Sequence, residues 1–173
     1  QATMLTGTRR MSALVDQQSL ALSAPVLAPC GSQPPAVLID LDSGDRPFDL
    51  DNPPLAANGL ARHLGDLRQA GVTVLWAAGL PVADAERLYI VLQASGLDPA
   101  RTDRLLLLRS PDDRKQGSRI AASREWCIIA AAGDRRADFD EVYDYLRDPG
   151  GPIARALEPN VGSRWFLAPP PSD

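Results

Sequence analysis

The sequence has few of the residues on which several common kinds of functional site depend. Its 173 residues include one histidine and two cysteines, and aromatic residues make up only 5%. A single histidine disfavours a histidine-based catalytic site or a zinc site, and two cysteines are too few for a disulfide scaffold. No apolar run reaches the roughly 18 residues that a membrane span requires.

The chain also carries fewer positively than negatively charged residues, 18 against 22. The formal net charge is −4 at pH 7, whereas a protein that binds nucleic acids in general needs a basic face against the phosphate backbone. Nucleic acid is therefore not an expected partner.

The chain does contain enough apolar residues for one buried core. Hydrophobic residues make up 45% and charged residues 23%, which is typical of globular proteins, and the length is short for two domains. We expect a single domain overall, in which residues 1–35 pack on a main domain at 36–173. Apolar residues at helical spacing predict a helix at 8–22, and four prolines and a glycine indicate an irregular linker at 23–35.

From residue 36 onwards, strand and helix signals alternate. Apolar runs predict five strands, at 36–39, 72–77, 104–108, 126–132 and 164–167. Helices are predicted between them, at 55–70, 82–95, 113–123 and 138–147. Strands separated by helices imply right-handed crossovers and a mostly parallel sheet in an α/β fold. In such sheets, ligands bind beyond the carboxyl ends of the strands.

Carboxylates follow two of the predicted strands at that edge. Asp40 and Asp42 come directly after the first strand, on the same side of the chain, and Asp134 follows the fourth. Two like charges this close repel each other unless a cation lies between them. Asp138, four residues after Asp134, starts a predicted helix. The alternatives are an acidic turn for the first pair and a helix N-terminal preference for Asp138.

Lys115 is the candidate cation. It stands near the start of a predicted helix, where the helix dipole favours anions rather than cations. It is therefore either a solvated surface lysine or an inward-pointing lysine that holds a phosphate as a point charge.

These segments together resemble the pattern of the haloacid dehalogenase (HAD) superfamily, and more closely that of its class C (subfamily IIIB) acid phosphatases. The similar segments cover most of the chain, at 5–22, 36–42, 71–81, 113–119, 133–141 and 165–169. The resemblance implies a HAD-like Rossmannoid fold, a three-layer α/β sandwich. The connections at 42–55 and 79–115 are too short for a large cap domain.

The resemblance also implies a role for each candidate residue. Asp40 would be the nucleophile that forms an aspartyl-phosphate, and Asp42 would protonate the leaving oxygen and then deprotonate water. Lys115 would neutralise the phosphoryl group. Mg²⁺ would bind Asp40, Asp134 and the carbonyl of Asp42, with Asp138 supporting the metal site.

Two positions depart from the family pattern. Gly44 stands where Thr or Val is usual, and Ala78 stands where a Ser or Thr hydroxyl normally binds the phosphoryl group. Loss of one such donor costs roughly 3 kcal/mol of transition-state stabilisation. Ser43, Ala78 and Gly79 are the expected substrate-binding positions, and the hydroxyl of Ser43 or Ser110 is a candidate substitute donor.

The sequence is therefore compatible with three hypotheses about function. The leading one is a Mg²⁺-dependent phosphomonoesterase that acts on a small phosphorylated substrate. The alternative is a catalytically weak or inactive HAD-like protein that binds phosphate or metal, a pseudophosphatase. The third is a parallel α/β domain outside this superfamily, in which the carboxylates are only loop charges.

The remaining expectations concern the environment of the protein. The chain begins with Gln1 rather than Met, from which we expect a signal peptide to have been removed and the protein to be periplasmic or secreted. Cys30 and Cys127 then either form one disulfide or remain two free thiols. Arg135 and Arg136 either steer an anionic substrate or are solvated surface residues. A homo-oligomer is compatible with the sequence.

Overall fold

Five parallel strands form the sheet at the centre of the computed structural model, which describes residues 10–169. The strands are β3 (Pro35–Asp40), β4 (Thr73–Pro81), β5 (Arg104–Leu108), β6 (Cys127–Gly133) and β7 (Trp165–Leu167). Their order is β5-β4-β3-β6-β7, and every pairing between neighbours is parallel. The predicted parallel sheet is therefore confirmed, with all five strands close to their expected positions.

Helices and a hairpin cover the two faces of this sheet. The helices are α1 (Gln17–Ala21), α2 (Leu60–Gln69), α3 (Ala85–Ala94), α4 (Lys115–Ala122), α5 (Val142–Tyr145) and α6 (Pro152–Leu157). Leu64 of α2 and Leu88 of α3 join one apolar cluster, whereas Ala122 of α4 and Leu157 of α6 join the other. The three-layer arrangement follows, because each face of the sheet buries its own set of side chains.

The strand register brings the carboxylates to one edge. Asp40 lies opposite Ala77 of β4, and Ile39 lies opposite Ala132 of β6. Asp40 and Gly133 are therefore the last residues of adjacent strands, and the chain turns into Asp134 at the same level. The acidic groups meet at the carboxyl edge of the sheet, where parallel α/β folds bind ligands.

The predicted helix at 8–22 is wrong over the residues that the structure describes. Met11–Val15 forms a strand, β1, which pairs antiparallel with β2 (Leu27–Pro29), and only α1 between them is helical. Leu14 is buried, as a helix would also require, but Leu22 is 79% exposed. The apolar run packs against β6 as a strand, so tertiary contacts override the helical spacing. Residues 8 and 9 and the similar segment at 5–7 lie outside the described residues.

Two other boundaries differ from the predictions. The helix predicted at 55–70 begins at Leu60, after Gly59 adopts a φ of 81°, and that left-handed conformation suits glycine. The helix predicted at 138–147 is reduced to Val142–Tyr145, because Asp138 belongs to a single 3₁₀ turn. The linker predicted at 23–35 contains β2, and α6 was not predicted.

The N-terminal hairpin is fastened to the main sheet. Cys30, next to β2, forms a disulfide with Cys127 at the start of β6. Ser12 Oγ donates to the carbonyl of Ile128 at 3.2 Å, and Trp165 Nε1 donates to the carbonyl of Ala13 at 2.7 Å. Of the two alternatives for the cysteines, the structure has the disulfide. None of the helices within residues 10–169 has the length and apolar character needed to cross a membrane.

Candidate functional site

Lys115 is the centre of a cluster of charged side chains at the carboxyl edge. Its Nζ lies 2.8 Å from Asp40 Oδ2, 2.9 Å from Asp42 Oδ2 and 3.5 Å from Asp138 Oδ1. The Lys115 side chain is 17% exposed. It therefore points inward from the first turn of α4, and the alternative of a solvated surface lysine is wrong.

Asp40 is an enclosed carboxylate of the cluster, with a side chain that is 1% exposed. Its Oδ1 accepts a hydrogen bond from the Asp42 amide at 3.0 Å, and its Oδ2 faces Lys115. Burial raises the pKa of Asp40 to about 6, the positive charge of Lys115 opposes this rise, and the charge of Asp138 adds to it. Above that pH, Asp40 is ionised and able to act as a nucleophile.

Asp42 is held by donors on both of its oxygens. Oδ1 accepts from the Phe48 amide at 2.9 Å, and Oδ2 accepts from the Gly79 amide at 2.8 Å as well as from Lys115. A Cβ at Gly79 would lie 3.0 Å from Asp42 Oδ2. A glycine at 79 therefore lets the backbone of β4 approach this carboxylate.

Asp134 and Asp138 form the opposite wall of the cluster. Asp138 Oδ2 accepts from the amides of Asp134 and Arg135, at 3.0 and 3.1 Å. Asp134 Oδ2 accepts from the Gly44 amide at 2.8 Å, which joins this wall to the loop that follows β3. Asp134 Oδ1 and Asp138 Oδ1 are buried and lack a hydrogen-bond partner.

The charges of the cluster do not balance. Three carboxylates, those of Asp40, Asp42 and Asp138, lie within 3.5 Å of one ammonium group. Burial raises the pKa of Asp138, with Lys115 opposing and Asp134 reinforcing the rise. Burial acts to lower the pKa of Lys115, but the charges and hydrogen bonds of Asp40 and Asp42 outweigh it and raise that pKa. Lys115 therefore stays protonated, and the surplus charge of the cluster is negative.

Three buried residues behind the cluster were not identified from the sequence. Arg119 Nη2 donates to Gln116 Oε1 at 2.6 Å and to the Ala137 carbonyl at 3.3 Å. Gln116 Nε2 in turn donates to Asp140 Oδ2 at 3.0 Å. The relevant signal was helical spacing: Arg119 is four residues after Lys115 and therefore on the same face of α4, and Gln116 is three residues before Arg119.

This buried network reaches the N-terminal hairpin. Gln17 Nε2 donates to Asp140 Oδ2 at 2.9 Å. Burial lowers the pKa of Arg119, while the negative charges of Asp40 and Asp140 oppose that effect. Arg119 thus places a second positive charge beneath the carboxylates.

The expected substrate-binding positions differ in their surroundings. Gly79 contacts Asp42 through its amide, and the half-buried Ser43 forms a tight turn by pairing with Arg46. Ala78 is fully buried in an apolar cluster that includes Trp76 and Leu80. This placement does not support contact between the Ala78 side chain and a substrate.

The two arginines after Asp134 are engaged rather than freely solvated. Arg136 forms an ion pair with Glu158, and Arg135 lies within 3.7 Å of Asp138 Oδ1 and within 3.6 Å of Asp144 Oδ1. His63, by contrast, is exposed on α2, as expected for a residue outside the site.

The oxygen-rich cluster suits a divalent cation in its chemistry. Carboxylate and carbonyl oxygens are the ligands that Mg²⁺ prefers, and Asp134 Oδ1 is a buried oxygen without a partner. Within residues 10–169, no three His, Cys, Asp or Glu side chains form a group that could hold a metal ion. The expected ligand set needs only two such side chains, Asp40 and Asp134, because the third protein ligand is the carbonyl of Asp42.

Comparisons with known proteins agree with this fold. A class C acid phosphatase from Bacillus anthracis superposes with a TM-score of 0.60 at 19% identity, over 82% of this chain and 68% of that one. The tungstate-bound structure of the class C acid phosphatase from Bacillus anthracis gives 0.58 at 17% identity over the same shares. The Pnkp1/Rnl/Hen1 RNA repair complex gives 0.51 at 16% identity, over 84% of this chain and 49% of that one.

Sequence comparisons add nothing to this result. No family model matches the chain, and no curated protein matches it significantly. Identities below 20% show a shared fold rather than a shared activity. The chain thus has the HAD-like fold of class C acid phosphatases, as the sequence resemblance predicted.

Proposed function

We propose that this protein is a Mg²⁺-dependent phosphomonoesterase whose nucleophile is Asp40. The observation that carries the proposal is the position of Lys115 Nζ, within 3 Å of both Asp40 Oδ2 and Asp42 Oδ2 at the carboxyl edge of the sheet. An ammonium between two buried carboxylates lies where it can neutralise an incoming phosphoryl group. The fold shared with acid phosphatases supports a hydrolase at this coarse level.

The reaction would use two carboxylates in two steps. Asp40 Oδ attacks phosphorus, the ester P–O bond breaks, and Asp42 donates a proton to the leaving oxygen. Asp42 then accepts a proton from water, whose oxygen attacks phosphorus. The aspartyl-phosphate is cleaved in this step, which releases inorganic phosphate and restores the Asp40 carboxylate.

The protein's own groups would position these steps. Lys115 binds the phosphoryl oxygens, and the amides of Phe48 and Gly79 hold Asp42 in a fixed orientation. Asp40, Asp134 and the Asp42 carbonyl would hold Mg²⁺, which when bound offsets repulsion between the attacking carboxylate and an anionic phosphate.

A second candidate function is phosphate binding without turnover. One observation favours it: both Asp42 oxygens already accept hydrogen bonds. A carboxyl that acts as a general acid must carry its proton on one of those oxygens, and three donors already take three of their roughly four acceptor positions.

One assay separates the two functions. The protein is incubated with p-nitrophenyl phosphate and Mg²⁺ between pH 5 and 8, beside an Asp40→Asn variant and an Asp66→Asn control on the exposed side of α2. Turnover that is lost in Asp40→Asn and on chelation, but retained in Asp66→Asn, supports the phosphomonoesterase.

The opposite result supports the binding protein. It would consist of no turnover at any pH in this range, together with phosphate binding that is detected by calorimetry and weakened in a Lys115→Met variant.

A further inference from the structure

An open groove of 560 Å³ lies beside α4, outside the carboxylate cluster. Its walls are the outer side of α4 and the face of β5, and its apolar lining includes Leu106, Ala121 and Trp126. Neither the proposed catalytic steps nor the proposed metal ligands use this groove.

The groove exists because β5 is an edge strand. β5 ends one side of the sheet, with β4 as its neighbour. Leu106 packs at the margin of the apolar cluster to which Ala122 of α4 belongs, but it is only partly buried. The backbone groups on the outer side of an edge strand can pair with an added strand.

The groove runs along β5 and reaches the carboxyl edge of the sheet, the edge at which the candidate site lies. Val82, Arg109 and Arg114 line its end at the carboxyl edge, and Arg114 directly precedes Lys115 in the chain. Arg104 lines the other end. Arg109 follows Arg104 by five positions along the chain, or about 16 Å at about 3.3 Å per residue of extended backbone.

Three arginines and two carboxylates line this groove, a formal surplus of one positive charge in a protein whose net charge is −4. Arg114 forms an ion pair with Glu141. Arg104 and Arg109 are exposed, and neither has a carboxylate within ion-pair distance in the described part of the chain. Asp113 and Glu125 also line the groove. Asp113 Oδ2, however, accepts from the amides of Arg109 and Ser110, at 2.7 and 3.1 Å.

We propose that this groove binds an extended acidic peptide segment of a phosphoprotein, whose phosphorylated residue reaches the Lys115 cluster. The proposal rests on the proposed phosphomonoesterase function and names its substrate class. About five extended residues match the distance between the two arginines, and alternate side chains of such a segment face the apolar floor. Acidic side chains would face Arg104 and Arg109.

A peptide fits this groove better than a single-stranded nucleic acid. Nucleic acids are held by stacking their bases on exposed aromatic rings, whereas the floor here is largely aliphatic. Trp126 is the one aromatic residue in its lining, and the Arg104 guanidinium lies 5.8 Å from the centre of its ring. Among residues 10–169, no strand pairs with the outer edge of β5, so this edge is a further partner for a peptide backbone.

The test measures binding directly and so does not depend on turnover. The probe is a fluorescein-labelled nine-residue peptide of alternating Glu and Leu with a central phosphoserine, followed by fluorescence anisotropy. Arg104→Ala and Arg109→Ala are each expected to raise Kd about fivefold, and the double variant more, with a strong dependence on salt. Arg62→Ala, an exposed arginine on α2, is the matched control and should leave Kd unchanged.

Hydrolysis of p-nitrophenyl phosphate tests the catalytic proposal independently of the groove proposal. This small substrate does not reach Arg104, so the Arg104→Ala rate should equal that of the wild type. Peptide binding that depends on the arginines, without hydrolysis of either substrate, would support the groove proposal and overturn the phosphomonoesterase proposal.

Two results would overturn the groove proposal. One is equal peptide affinity in the wild type and the double variant. The other is tighter, Arg104-dependent binding of a single-stranded oligonucleotide of the same charge, which would assign the groove to nucleic acid.

Discussion

At the scale of single residues, the site is a set of buried charges held against their electrostatic preference. Asp40 and Asp138 have raised pKa values, and two buried carboxylate oxygens lack hydrogen-bond partners. Such arrangements cost stability and are typical of functional sites, where catalysis needs charges that folding alone would avoid.

The pKa of Asp40 has a measurable consequence for stability. A carboxyl with a folded pKa of about 6 and an ordinary pKa of 3.8 binds its proton more tightly in the folded state. Without metal, the free energy of unfolding should therefore fall as pH rises from about 4 to about 6, by about 2–3 kcal/mol.

An Asp40→Asn variant should avoid that loss. In EDTA at pH 7.5 it is expected to be more stable than the wild type by about 1–3 kcal/mol, and the difference should vanish near pH 4. Lys115 retains Asp42 as a partner in this variant. Urea unfolding at the two pH values gives the comparison, and a variant less stable at both would contradict the prediction.

A second prediction at this scale concerns Gly133. A Cβ at this position would lie 2.6 Å from both Cβ and Oδ2 of Asp138, closer than real contacts allow. Gly133→Ala should therefore lower the free energy of unfolding by about 2 kcal/mol or more, because Asp138 must give up its hydrogen bonds to relieve the overlap.

Gly65 provides the matched control. It lies inside α2, and a Cβ there would meet nothing within 4 Å. Gly65→Ala should stabilise the protein by about 0.5–1 kcal/mol through helix propensity. Denaturant unfolding of both variants checks the pair, and equal effects of the two substitutions would show that the contact with Asp138 is unimportant.

At the scale of elements, the N-terminal hairpin packs across β6 and holds it against the rest of the sheet. It covers the face of the sheet that carries Trp165, and Gln17 at its helical turn reaches Asp140 behind the site. The Cys30–Cys127 disulfide links this hairpin to β6, and its two cysteines are 97 residues apart in the chain.

Loss of that disulfide should destabilise the whole domain. For a loop of this length, the loss of denatured-state entropy that a cross-link imposes is worth about 4 kcal/mol. The Cys30→Ser/Cys127→Ser double variant should therefore melt well below the wild type, and adding a reductant should shift only the wild type. A wild-type mass that is unchanged on reduction, with two thiols already open to alkylation, would contradict the prediction.

At the scale of the whole molecule, the surplus negative charge at one edge should make stability respond to divalent cations. A ligand that binds only the folded state adds about 2.7 kcal/mol when its concentration is 100 times its Kd. Mg²⁺ should therefore raise the melting temperature of the wild type, and this rise should be lost in Asp134→Asn.

Asp66→Asn is the control for that measurement, since it removes one exposed carboxylate outside the cluster. Its response to Mg²⁺ should match the wild type. An equal response in Asp134→Asn would mean that Mg²⁺ acts through general screening, and it would remove Asp134 from the proposed ligands.

The sequence by itself determined the sheet and predicted which carboxylates meet at its carboxyl edge. Continuous apolar runs such as 36–39 and 126–132 predict buried parallel strands, because burial on both faces leaves no alternation. Once the strands are known, chain order alone puts Asp40, Asp42 and Asp134 at one edge, and the resemblance to the HAD pattern added Lys115.

Only the tertiary structure decided which distant groups meet. The spacing of Met11, Leu14 and Leu22 is compatible with a helix, and the hairpin forms because β2 and β6 offer strand and packing partners. The positions of Arg119 behind Asp40 and of Ala78 inside an apolar cluster have the same origin. Periodicity reports which side of an element is buried, whereas the identity of the neighbour depends on how the layers pack.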